Sequence, residues 1–293
     1  MAGDRAEREA LIRLMTEVRP RLHRYCARIV GSVFDGEDIV QEALAKAAQA
    51  LPSVGTIGKA EAWLFTIAHN AALDALRRRK RQAEVPLEND SPDLPDRAPE
   101  ADSWVAASAS LATIMQLPVI QRSTVVLMDV LEYSLAETVE ILGTTLPAVK
   151  AALHRGRVRL KALSDAGASE EPALHADEQA RLRSYADRFN ARDFDALRNL
   201  LAEDVKLDLV NRLRLAGRKD VSVYFSRYGE SFDWKFAPGL AEGRPALLVS
   251  NPAGTSQAVE YVVLLDWMNG CIRGIRDFRH AKYVTDGLRV RRL

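Results

Sequence analysis

The chain has 293 residues, 47% of them apolar, and a formal net charge of only +1, a length and an apolar content that point to two or three packed units and exclude wholesale disorder. Two distant cysteines, Cys26 and Cys271, and five scattered histidines exclude a disulfide framework and the usual zinc spacings. Charged residues at the N-terminus and the lack of a long apolar run exclude a secretory signal and a membrane span, so a cytoplasmic protein without metal or cofactor is expected.

Helices are predicted from about Glu7 to Val30, ending at Gly31, from about Glu37 to Leu51, stopped by Pro52, and from about Lys59 to Arg81 after a Gly55–Gly58 loop. In the third, Leu64, Ile67, Ala68, Ala71 and Ala75 can face a core, while Asn70, Asp74, Arg77 and Arg81 form another stripe. The basic run Arg77–Arg81 would attract phosphates, Asn70 could bond a base edge, and Trp63 could stack on an unpaired base. The same residues also suit an ordinary helix: Asp74 can pair with Arg78, basic residues favour any helix C-terminus, and Trp63 can be core. Residues 82–104 combine four prolines with seven acidic residues against one arginine and read as an extended linker. Helical pattern resumes over 105–163, and 164–177 is a second, polar linker.

The sharpest local signal lies at 134–163. Ser134 and Glu137 have capping-box spacing, Leu135, Val139 and Leu142 give an apolar face, Gly143-Thr144-Thr145 makes a turn, and a second helix starts near Leu146-Pro147. There Val149, Leu153, Gly156, Leu160 and Leu163 form one stripe, and Lys150, His154, Arg157 and Lys161 another, flanked by Arg155 and Arg159. A short helix, a tight turn and a longer helix with a basic outer face suit entry into a DNA major groove; a solvated helix of an ordinary bundle is the alternative.

From Glu178 the pattern changes. One helix, about Glu178–Leu201, precedes apolar runs at Val205–Val210, Ala246–Ser250, Ala258–Asp266 and Cys271–Phe278, which predicts a separate α+β domain. Asp208, Tyr261, Asp266, Asp277 and His280 are its candidate pocket residues, but alternation does not say which point inward without the register.

Taken together, residues 10–163 resemble the extracytoplasmic-function (ECF) group of bacterial sigma factors. Phe34-Asp-Gly-Glu-Asp-Ile-Val-Gln-Glu-Ala-Leu resembles that family's polymerase-binding helix, Ala62-Trp-Leu-Phe-Thr-Ile-Ala-His-Asn its −10-reading helix, and Leu117-Pro through Leu163 its −35-reading domain. The resemblance implies that Asp35, Asp38, Gln41 and Glu42 face core RNA polymerase and that Asn70 reads an extruded −10 base beside Trp63. It implies further that Arg77, Arg78 and Arg81 hold promoter phosphates, and that Lys150, His154, Arg155 and Arg157 approach the −35 element. Ala151-Ala152 stands where the family often has Ser-Arg.

Residues 178–293 resemble SnoaL-like members of the NTF2-like superfamily, on the helix-then-strands order and the ending Ile275-Arg-Asp-Phe-Arg-His-Ala-Lys-Tyr. The expected architecture is therefore multidomain: two all-α sigma domains at 6–81 and 105–163, the second with a helix-turn-helix, and an α+β cone at 178–293. The cone would modulate initiation through intramolecular contact with the sigma domains or an unknown small-molecule ligand, without catalysis. Two other readings compete: a ligand-sensing helix-turn-helix regulator that is no sigma subunit, and a small-molecule enzyme with an incidental basic domain. The acidic helix face at 35–42 and the acidic linker favour the sigma reading.

Overall fold

The computed structural model describes residues 2–50, 59–82, 109–164, 174–254 and 258–293. They fall into two compact units, Met1–Ala168 and Ser169–Leu293. The Gly55–Gly58 loop, residues 83–104 of the first expected linker and residues 165–173 of the second lie outside the described residues. Among the described residues, no helix is long and apolar enough to cross a membrane.

The first unit is helical: α1 (Ala2–Val30), α2 (Val33–Ala50), α3 (Ala60–Gln82), α4 (Leu111–Met115), α5 (Val119–Val125, continued by a π-helical turn over Val126–Val130), α6 (Leu135–Leu142) and α7 (Leu146–Ser164). Gly31 ends α1 at φ +78°, a conformation that glycine adopts without steric cost. Gly36 lets α2 cross α1 closely, since a Cβ there would stand 2.6 Å from the Ala27 backbone nitrogen. Beside that crossing the fully buried Glu37 carboxylate pairs with Arg19 and accepts from Gln41 Nε2 at 3.4 Å. Removing one partner of such a buried pair costs about 3–5 kcal/mol.

By sequence, 6–81 and 105–163 are two domains; in the structure they share one core. Leu22, Tyr25 and Phe65 from α1 and α3 cluster with Ile114, Val125, Leu127 and Ile141 from the later helices. Each large side chain so buried contributes about 1.5–3 kcal/mol. A helical set of this size buries only about 60% of its unfolded surface by itself, so pooling the two apolar faces adds burial that neither set reaches alone.

The second unit comprises α8 (Ala176–Asn190), α9 (Phe194–Asn199), β1 (Leu201–Leu209), β2 (Leu213–Ala216), α10 (Arg218–Gly229), β3 (Lys235–Ala241), β4 (Arg244–Ser250), β5 (Tyr261–Met268), β6 (Cys271–Asp277), a 3-10 turn (Lys282–Thr285) and β7 (Val290–Arg292). The single helix expected over 178–201 is two, broken where Arg192 takes φ 59°. The strands form one sheet in the order β2-β1-β6-β5-β4-β3-β7, with β1 and β6 parallel and the other pairs antiparallel. Phe189 of α8 stacks on Phe236 of β3 at 4.0 Å, and Asn190 bonds both the N–H (3.0 Å) and the carbonyl (2.9 Å) of Phe236. This locks the helix onto the sheet by packing and hydrogen bonds together.

Candidate nucleic-acid interface

The helix-turn-helix is built largely by local chemistry. Ser134 Oγ accepts from the Glu137 N–H at 3.3 Å, and Glu137 Oε2 accepts from the Ser134 N–H at 2.9 Å. The Ser134 hydroxyl, donating to Glu137 Oε2 at 2.5 Å, together with the Ser134 N–H holds the Glu137 carboxyl below its ordinary range. Gly143 ends α6 in the left-handed region at φ 59°, and α7 follows after two residues. Val149, Ala152, Gly156 and Leu160 face inward from α7. A Cβ on Gly156 would stand 2.7 Å from Val125 Cγ2 and 3.3 Å from the Gln121 carbonyl oxygen, so this glycine sets how closely α7 lies on α5.

On the outer side of α7, Lys150 and Arg159 are exposed, and His154 and Arg155 are half-buried. Arg157, expected among the DNA contacts, is differently engaged: its Nε and Nη2 donate to both oxygens of Asp129, at 3.0 and 2.6 Å. The Asp129 side chain is only 3% exposed, so the pair ties α7 to the π-helical turn. Ala152 is buried, which leaves it no access to a base edge.

On α3, Leu64, Ala68 and Ala71 are buried while Asn70, Arg77, Arg78 and Arg81 are exposed, and Trp63 is half-buried against the core. His69, next to Asn70, turns inward, its Nδ1 2.7 Å from the Tyr25 hydroxyl. Burial, aided by the charge of Arg77, pushes its pKa down to about 4. Asp35 and Glu42 of α2, expected to face polymerase, are paired within the unit: Asp35 with Arg79, and Glu42 with Lys46 (2.7 Å) and Arg78 (3.4 Å). Gln41 donates to Glu37, and Asp38 is exposed. The acidic face of α2 and the basic end of α3 thus form one mixed-charge surface.

In the second unit the sheet register separates the five candidate pocket residues. Asp277 is fully buried on the side covered by α10, its Oδ2 accepting from Tyr224 (2.8 Å) and Tyr228 (2.7 Å) and its Oδ1 from the Arg279 N–H (2.8 Å). Tyr261 joins this group, its hydroxyl 3.2 Å from that of Tyr228. Burial pushes the Asp277 carboxyl above its ordinary value against these donors. A cavity of about 450 Å³ opens beside them, with His280 at its edge. Asp208 and Asp266 belong to the opposite face of the sheet: Asp208 pairs with Arg214 (3.2 Å) and Arg276 (3.6 Å), and Asp266 is exposed. The one-residue alternation that puts Leu207 and Leu209 against α10 turns Asp208 outward. Tyr224, Tyr228, Arg212, Arg227 and Arg279, which the sequence analysis did not single out, line the cavity. The spacing Val221, Tyr224, Phe225, Tyr228 carries the helical signal that would have found the tyrosines.

The Sigma-70 region 2 family model matches residues 14–82, and the Sigma-70 region 4 model matches residues 111–160. The chain is 35% identical over 163 residues to the ECF RNA polymerase sigma factor SigM of Mycobacterium tuberculosis, covering 56% of this chain and 80% of that relative. The chain belongs to the ECF RNA polymerase sigma factors. As a sigma factor it directs transcription initiation, with α1–α3 in region 2 and α4–α7 in region 4. The sigma factor is also similar to the crystal structure of SigJ from Mycobacterium tuberculosis, at 21% identity and TM-score 0.36, over 91% of this chain and 95% of that one. An NTF-2 like protein from Burkholderia xenovorans matches 36% of the sigma factor and 84% of its own chain, at 16% identity and TM-score 0.29.

Proposed function

We propose that the sigma factor reads its promoter with α3 and α7 while α2 engages core RNA polymerase. The observation that carries this is on α3. Asn70 stands exposed on a helix whose other side is sealed in the core, with Arg77, Arg78 and Arg81 exposed toward the same helix end. A short amide flanked by guanidinium groups suits recognition of one base held by its neighbouring phosphates. Trp63 supports that surface from its half-buried position, and Lys150, His154 and Arg155 approach the −35 element from the outer side of α7. Asp35, Asp38, Gln41 and Glu42 serve the polymerase, with Asp35 and Glu42 exchanging their arginine partners for groups of the larger enzyme.

Residues 6–81 and 105–163 act as the −10 and −35 modules, and residues 178–293 as an NTF2-like domain that modulates initiation without chemistry of its own. In vitro transcription with purified core polymerase tests the assignment. Asn70→Ala is expected to abolish initiation while leaving polymerase binding intact; full activity of that variant would remove Asn70 from the −10 site. Deletion of 178–293 is expected to change initiation. Equal activity and polymerase affinity with and without those residues would sink the modulating role.

A further inference from the structure

The cavity under α10 has an asymmetry that specifies a ligand. Its wall on the sheet side is aliphatic, from Leu207 and Leu209 of β1 and Leu213 and Leu215 of β2. The hydroxyl hydrogens of Tyr224 and Tyr228 are already committed to Asp277, so a ligand finds no free donor from these groups. Opposed to this is a cationic edge. Arg212 is the last residue of the β1–β2 turn, which lies against the 277–280 segment: Val210 N–H donates to the Asp277 carbonyl (2.9 Å) and Asn211 Nδ2 to the His280 carbonyl (3.5 Å). Arg227 lies in the last turn of α10, and Arg279 rests over the Tyr228 ring at 4.8 Å.

The charges that oppose this edge do not cancel it. Asp233 neutralises Arg279 through two bonds of 2.8 and 3.0 Å, which leaves Arg212 and Arg227, both exposed. Asp220 also lines the cavity, but it sits seven residues before Arg227 on α10, roughly 10 Å along the helix axis. Asp277 is buried behind the tyrosine hydroxyls, where it disfavours an anion deep in the cavity and favours one at the edge.

We propose that this cavity binds an amphipathic carboxylic acid, with its hydrocarbon body against the leucines and its carboxylate at Arg212 and Arg227. The volume of about 450 Å³ accommodates a medium-length chain, and the leucine wall disfavours a metabolite that is polar throughout, whose polar groups would be buried there without partners. The proposal names the ligand class of the modulating domain and rests on that reading for its consequence in transcription, but binding is measurable by itself.

The test is calorimetric titration of the full-length protein with three probes of one chain length: dodecanoate, dodecanol and dodecyltrimethylammonium. Dodecanoate is expected to bind about tenfold or more tightly than dodecanol, the worth of a charge-assisted contact, and the ammonium more weakly still. The double variant Arg212→Ala/Arg227→Ala should bring dodecanoate down to dodecanol and leave dodecanol unchanged. Val223→Trp, at a half-exposed cavity residue on α10, should block both probes without burdening the core. Failure of folded wild-type protein to bind dodecanoate, equal or tighter binding of the ammonium, or a carboxylate preference that survives the double arginine variant would each overturn the proposal. Transcription with and without dodecanoate separates the two ideas. Binding without any change in initiation would refute modulation by this ligand and leave the ligand class standing.

Discussion

The Tyr133 hydroxyl donates to Glu61 Oε1 at 2.6 Å, joining the segment before α6 to the start of α3. Arg21 of α1 pairs with the same oxygen, lies 4.8 Å from the Tyr133 ring centroid, and bonds the Leu131 carbonyl at 3.2 Å. Phe65 packs edge-on against Tyr133 at 5.0 Å, and Lys59 pairs with Glu140 at 2.6 Å. Region 2 and region 4 therefore meet through a polar cluster laid over a common apolar core. Tyr133→Phe deletes one hydrogen bond to a charged group and should lower stability by about 1.5–3 kcal/mol. Because the core is common, hydrogen-exchange protection should fall in both α3 and α6. A loss confined to α6 would show that the two regions unfold independently.

Arg157 provides a second test, because its position on α7 suits DNA and its contacts suit folding. Arg157→Ala leaves the Asp129 carboxylate buried without its guanidinium partner and should cost about 3–5 kcal/mol, read as a lower urea midpoint. At temperatures where the variant is folded, the salt dependence of promoter binding should match the wild type. A decrease in slope there would return Arg157 to the phosphate contacts.

Arg77 should behave in the opposite way. Its pair with Asp74, at 3.0 Å, is exposed on one helix face, where such pairs are worth under about 1 kcal/mol. Arg77→Ala should leave the urea midpoint nearly unchanged. The slope of log K against log salt should become shallower by about 0.9, the contribution of one phosphate contact. An unaltered slope would mean that Arg77 touches no phosphate.

These contrasts show which parts of the molecule were legible in the sequence. The helix-turn-helix was, because Ser134, Glu137 and Gly143 act within a few residues of one another and their chemistry dictates the start and stop of α6. The apolar stripe of α7 was legible for the same reason. Arg157 was not, since its partner lies 28 residues upstream and spacing alone gives it the same face as Lys150 and His154. The union of the two helical regions was also hidden: Phe65 and Tyr133 meet only in three dimensions. In the C-terminal unit the strands at 246–250 and 271–277 stood out by their apolar runs, whereas β3, interrupted by Pro238 and Gly239, did not. Pro238 fits because it stands at the end of the β7 ladder, where its carbonyl accepts from the Leu293 N–H at 3.1 Å and no N–H is needed in return. Asp208 and Asp266 show why a pocket is harder to read than a strand: one step of register moves a carboxylate from the cavity under α10 to a separate, more open concavity on the other face of the sheet, shared with Arg214 and Arg276.

The last prediction concerns acid. His69 is 6% exposed and its imidazole Nδ1 lies against the buried Tyr25 hydroxyl, so the neutral ring is the form the core accepts. Its pKa of about 4 in the folded chain is below the ordinary 6.5. Above pH 6.5 neither state is protonated and the full stability is present. As the pH falls from there toward 4, the unfolded chain takes up a proton that the folded chain refuses, and stability is lost; below 4 both states carry it and the loss stops growing. The shift corresponds to at most about 3 kcal/mol. His69→Gln keeps an acceptor for Tyr25 but cannot titrate, so it removes this share of the acid sensitivity. Urea unfolding at pH 7.5 and pH 4.5 should show the wild type losing about 2–3 kcal/mol more than the variant across that interval. Carboxylates that also titrate there are common to both proteins and cancel in the difference. Equal losses would mean that the ring takes its proton without leaving the core.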